Sequence, residues 1–88
     1  MAAKTPDSIV IENVGSLTLR VCTFSTSDID NGDTYTSGLE GVVGYWVQQT
    51  DDAGDTQFGI AVTEASGVFT FQTDEANKTG ILFILSRD

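Results

Sequence analysis

The sequence predicts an all-β fold, a small antiparallel β-sandwich or partly open barrel of six to seven short strands. Three observations carry this expectation. No segment sustains the 3.6-residue apolar period of a helix. Short runs rich in Val, Ile, Thr, Phe and Tyr recur between clusters of Gly, Asn, Asp and Ser, the punctuation of strands and turns. The run Gly80-Ile81-Leu82-Phe83-Ile84-Leu85-Ser86 is apolar at successive positions, so both its faces need cover, either in the middle of a sandwich or on a surface that another subunit covers.

Taken in order, Met1 to Ser8 holds the sole proline and no apolar periodicity, and is expected as a flexible arm ahead of one β domain spanning 9–88. Ile9 to Glu12 reads as a short strand, closed by Asn13-Val14-Gly15-Ser16, where Asn and Gly supply turn conformations and a hairpin follows. Leu17 to Phe24 alternates, placing Leu17, Leu19 and Val21 on one face and Thr18, Arg20 and Cys22 on the other; the leucine side is expected to be the buried one. Ser25 to Asp33 consists almost wholly of turn and capping residues and reads as the main surface loop. Thr34 to Ser37 is expected as a short edge strand.

Gly38, Gly41 and Gly44 recur every third residue, too few for collagen and at no phosphate-binding spacing; they read as a bend and a strand that another backbone approaches closely. Val42 to Thr50 has strand composition, with Trp46 as a core anchor. The acidic tip Thr50 to Thr56 joins it to Phe58 to Glu64. Ala65-Ser66-Gly67 turns tightly into Val68 to Thr73, whose Phe69 and Phe71 share a face. Asp74 to Thr79 connects to the final apolar strand.

Composition restricts function. Eighty-eight residues bury a modest core, and with one cysteine, Cys22, and no histidine there is no internal disulfide, no Cys/His zinc cluster and no Ser-His-Asp or Cys-His catalytic arrangement. Oligomerisation is the remaining common source of stability for so short a chain. Thirteen acidic residues against four cations, Lys4, Arg20, Lys78 and Arg87, give a formal charge of -9, which opposes binding to nucleic acid and to an anionic membrane. The start lacks the apolar stretch of a secretion signal and no window approaches a membrane span, so synthesis in a cytoplasm is expected.

Three constellations could carry chemistry. Asp28, Asp30 and Asp33, around Asn31-Gly32, offer oxygen ligands and a tight turn to calcium, although Gly32 and Leu39 fall where an EF-hand loop needs other residues; an Asx-type turn or helix cap is the plainer reading. No other cofactor is expected. Asp51, Asp52 and Asp55 form a carboxylate cluster at a hairpin tip, where no apolar pocket raises a carboxyl pKa for glycoside cleavage. Tyr35, Tyr45 and Trp46 could stack on a sugar, or pack in the core. A small binding module for carbohydrate or calcium is therefore the alternative to a non-enzymatic structural protein.

The runs Leu19 to Phe24, Asp28 to Thr34, Gly41 to Trp46 and Gly67 to Phe71 resemble, in composition and strand order, small β-rich virion proteins of tailed bacteriophages, and most of all the capsid decoration or cement class. That resemblance implies a compact β domain without an active site that binds the outside of a capsid shell, often as a homotrimer, and braces it. It implies the major capsid protein or another virion protein as partner, and the virion as location. On this reading Ala3, Lys4, Thr5 and Pro6 belong to a partner-binding arm, and Ile81, Leu82, Phe83, Ile84 and Leu85 form the core or the seam between subunits.

Overall fold

A computed structural model describes residues 3–50, 60–73 and 78–87, with the backbone alone for 25–28. Its seven strands are β1 (Ser8–Val14), β2 (Leu17–Ile29), β3 (Thr34–Thr36), β4 (Val42–Gln49), β5 (Ile60–Ala65), β6 (Val68–Thr73) and β7 (Lys78–Ser86). They form two antiparallel sheets, one of four strands in the order β1-β2-β7-β4 and one of three in the order β3-β6-β5. The all-β expectation is met, as two open sheets and not a closed barrel.

Two hairpins have loops of two residues, and glycine makes both possible. In the β1–β2 loop Gly15 takes φ +65°; in the β5–β6 loop Ser66 and Gly67 both have positive φ, the geometry of a type I′ turn, whose twist matches that of the flanking strands. Gly67 is also the point of closest backbone approach, since a Cβ there would lie 2.5 Å from the Leu39 carbonyl oxygen. That carbonyl belongs to the segment leading into β4. Ser37 reinforces the junction, its amide and hydroxyl both donating to the Gly67 carbonyl at 2.9 and 2.7 Å. The Gly67 amide in turn donates to the Glu64 carboxylate at 2.9 Å, closing the turn from the other side.

The core lies between the sheets. Cys22 and Phe24 from β2 and Leu82 and Ile84 from β7 meet Tyr35, Phe69 and Phe71 from the smaller sheet, with Ile29 and Leu39 at its margins. Phe24 makes edge-to-face contacts with Tyr35 and Phe71 at ring separations of 6.0 and 5.3 Å, and Tyr45 does the same to Phe69 at 5.4 Å. The edge of one ring thus meets the electron-rich face of the next, the arrangement the ring quadrupoles favour.

Four expectations are corrected. The face of β2 that turns inward carries Cys22 and Phe24, while Leu17, Leu19 and Val21 lie on the outer face, because strict alternation keeps Phe24 with Cys22 and the largest side chain goes to the layer facing Phe69 and Phe71. Ser25 to Ile29 continues β2 instead of forming a loop; the register is irregular between Phe24 and Ile29 but resumes where Ile29, fully buried, faces Lys78. Trp46 is not a core anchor. The register shift between Val42 and Gly44 changes parity along β4, so that Trp46 points outward and is 47% exposed. A Cβ on Gly44 would meet nothing within 4 Å, so no backbone approaches it; close approach occurs at Gly67 and at Gly80, whose Cβ would lie 2.9 Å from the Gln48 carbonyl oxygen.

The segment expected as an arm runs along the open side of the sandwich. Ala3 forms a parallel bridge to Thr34, Lys4 donates its amide to the Thr34 carbonyl at 2.7 Å, and Asp7 donates to the Thr23 carbonyl at 2.7 Å. Thr5 is exposed and Pro6 half-buried between these points. Residues 3–7 therefore span from the edge of the smaller sheet to the larger one.

Candidate functional site

Cys22, Tyr35 and Arg20 are committed to the fold. Cys22 is fully buried, and burial raises its thiol pKa against the weaker opposing pull of a Tyr35 hydrogen bond and the Arg20 charge. A thiol so placed is a small apolar filler and not a nucleophile. Burial likewise raises the Tyr35 phenol, while Arg20 pulls it down by donating from Nη1 to the hydroxyl at 3.3 Å. Arg20 also reaches the Ser37 carbonyl at 3.5 Å, so its charge serves the rim of the core. No pocket opens among the described residues.

Asp30 and Asp33 form a turn. The Asp33 carboxylate, 2% exposed, accepts the Asp30 amide at 2.8 Å, and the Asp33 amide returns to the Asp30 carbonyl at 3.1 Å. Lys4 stands 3.7 Å from the same carboxylate, so the segment preceding β1 is fastened to this turn by charge. The backbone of Asp28 lies in β2, and its side chain is outside the described residues. No group of three or more Cys, His, Asp or Glu that could hold a metal occurs among the described residues. The cluster Asp51, Asp52 and Asp55 is outside them altogether.

The three rings expected to stack on a sugar are not brought together. Tyr35 and Tyr45 both pack on Phe69 at the inner side, whereas Trp46 projects from the opposite face of the larger sheet, stacked flat on Phe83 at 4.9 Å with an interplanar angle of 8°. No shared platform exists for them.

What the strands assemble is a surface. Residues directly opposite in an antiparallel sheet point to the same side, and the registers align three rows on the outer face of the larger sheet. The middle row is Val10, Val21, Phe83 and Trp46; one flanking row is Glu12, Leu19, Leu85 and Gly44; the other is Ser8, Thr23, Ile81 and Gln48. Val14 and Leu17 extend it at the hairpin end. Val10 and Trp46 are each about half exposed, and Leu85, beside Gly44, is partly buried. Edge strand β1 adds Ile9 and Ile11 on its other side, at 44% and 56% exposure.

The smaller sheet presents the opposite character. Its outer face carries a row of Thr34, Thr70 and Thr63, with Gln72 and Ala61 beside it. One side of the sandwich is thus threonine-rich and wettable, the other apolar over four strands.

Of the strand expected as core or seam, Leu82 and Ile84 belong to the core and Ile81, Phe83 and Leu85 to the outer face. Of the residues that complete this surface, Leu19, Val21 and Trp46 are ones the sequence places in the core, and Val10 lies in a strand whose faces it does not distinguish. A signal existed in Ile9-Val10-Ile11, which is apolar at consecutive positions and cannot be hidden by covering one face. Compared with protein-family models, with curated proteins and with solved structures, the chain matches none.

Proposed function

We propose that this protein is a non-enzymatic structural component of a virion, a capsid decoration protein that binds the particle as a homo-oligomer. The observation that carries the assembly part of this reading is the outer face of the larger sheet, where an apolar row crosses all four strands in a chain of net charge -9. Monomeric proteins seldom leave a contiguous apolar face of this extent in water, and such faces serve as protein contacts. The resemblance to phage decoration proteins supplies the particular assembly, with the major capsid protein or another virion protein as partner.

The distribution of charge supports the same reading. Lys4 pairs with Asp33, Arg20 is held at the core rim, and Lys78 is buried, so most of the positive charge is spent inside the fold. An exterior dominated by carboxylates disfavours DNA and favours a protein partner. The test is composition: particles of the virus whose genome carries this sequence, purified to constant protein content, should contain the chain in fixed proportion to the shell protein. Its absence from such particles, while abundant in the lysate, refutes the virion role.

A further inference from the structure

We infer that the outer face of the four-stranded sheet is the seam between copies of this chain, the row Val10, Val21, Phe83, Trp46 of one copy packing against the same rows of another. The inference rests on the assembly reading above and names the surface and its occupant. Three observations select a second copy.

The first is extent. Four strands at about 4.8 Å spacing and seven residues at about 3.3 Å rise give a face of roughly 450 Å² in plan, larger once side-chain relief is added. Two such faces bury on the order of 1,000 Å², which reaches the size of a specific interface. Few other surfaces of so small a domain could.

The second is charge. A chain with thirteen acidic residues and four cations repels its own copies wherever its carboxylates meet. Across the three rows Glu12 is the one charged side chain, so like charge opposes self-contact little on this face. Glu12 lies on edge strand β1, where it can stay at the rim of a contact centred on β2 and β7.

The third is composition of the partner surface. A flat apolar face built of Val, Leu, Ile, Phe and Trp needs a flat apolar counterpart, and the same face is one, whereas the threonine-rich face of the smaller sheet is not. Stacked sheets with interdigitated aliphatic and aromatic side chains pack at about 10 Å. A two-fold stack brings this face against itself and leaves the threonine rows outward.

The chain carries one tryptophan, and it lies in this seam. That makes the wild-type protein its own reporter. Molar mass by light scattering and Trp46 emission are measured together over a dilution series. Loss of mass accompanied by a red shift of emission and greater quenching by acrylamide, with one midpoint, is the expected result. Val10→Glu combined with Trp46→Glu, both at positions already half exposed, should raise the dissociation constant by about 30-fold or more, as loss of an aromatic anchor together with added like charge does, with the far-ultraviolet circular dichroism unchanged. Thr63→Glu, on the outer face of the smaller sheet, should leave the midpoint where it was.

A wild-type monomer at every concentration overturns the seam, and so does an oligomer that dissociates with Trp46 emission and quenching unchanged. Because the double variant also reports on folding, the wild-type dilution decides the matter if that variant fails to fold. A monomer in solution that is nonetheless present in purified particles removes the seam and leaves the virion role standing; an oligomer sealed at Trp46 but absent from particles does the reverse.

Discussion

Replacing Gly67 with alanine tests the account of how the two sheets are joined. The residue is buried at φ +82°, and its Cβ would lie 2.5 Å from the Leu39 carbonyl oxygen and 3.3 Å from the Leu39 nitrogen. A left-handed conformation costs a non-glycine residue about 1 to 2 kcal/mol. Relieving the contact to 3.4 Å requires the turn and the Leu39 backbone to separate by about 0.9 Å (3.4 less 2.5), which stretches both Ser37 hydrogen bonds to the Gly67 carbonyl beyond useful length. Each such bond contributes about 0.5 to 1.5 kcal/mol. The sum is about 2 to 5 kcal/mol, against a total of roughly 4 to 13 kcal/mol for a domain of this length.

Gly15→Ala supplies the internal reference. Its φ is +65° and nothing lies within 4 Å of its Cβ, so it carries the conformational cost alone, about 1 to 2 kcal/mol. The two variants are compared by urea unfolding at one protein concentration, since self-association shifts apparent stability. Gly67→Ala should be the weaker by about 1 to 3 kcal/mol, the worth of the two Ser37 bonds, or roughly 5 to 20 °C in melting temperature. Equal losses within about 0.5 kcal/mol, below the worth of one such bond, would show that the Leu39 contact does not constrain the junction and would refute the reasoning.

Two further outcomes follow from the same packing. Gly44→Ala, in a strand interior with open space around its Cβ, should stabilise the domain by about 0.5 to 1 kcal/mol in chemical unfolding, because glycine there costs backbone entropy and fills nothing; a loss of stability would mean that the site is occupied. Burial raises the pKa values of Cys22 and Tyr35 in the folded state, so their contribution to stability is complete below the unfolded-state values and is lost as pH rises through the folded ones. Stability should therefore fall from about pH 8.5 upward, and Cys22→Ala should flatten the first part of that fall; a slope identical in the variant would show that the thiol takes no part.

The turns were the most legible part of the chain, because a glycine at a two-residue loop is a local requirement that tertiary structure does not override. Gly15-Ser16 and Ser66-Gly67 fall where the sequence places them. Strand faces were harder. The more apolar side of β2 is Leu17, Leu19 and Val21, and the rule that it faces inward fails because Phe24, on the other side, goes to the layer facing Phe69 and Phe71. The place of Phe24 on the Cys22 side was the available counter-signal. For Trp46 the one local mark was Gly44 inside the strand, since an irregular pair between Val42 and Gly44 reverses every later side chain in β4. The candidate site follows the same division. Its apolar strand β7 was evident from composition, but the surface is made of rows that cross four strands, and rows exist only once register is known.

The position of β7 also sets an order of events. It lies between β2 and β4 in the larger sheet and pairs with both, Leu19 facing Leu85 and Trp46 facing Phe83, although it is the last of the seven strands to be synthesised. Until it emerges, β2 and β4 have no common neighbour, and the hairpin of β1 and β2 holds its apolar residues in water. The sheet thus closes late and through contacts distant in sequence, a topology that folds slowly and exposes strand edges while it waits. A nascent chain of this kind is at its most adhesive just before β7 emerges, when copies on neighbouring ribosomes carry the same unfilled slot for a strand of one sequence.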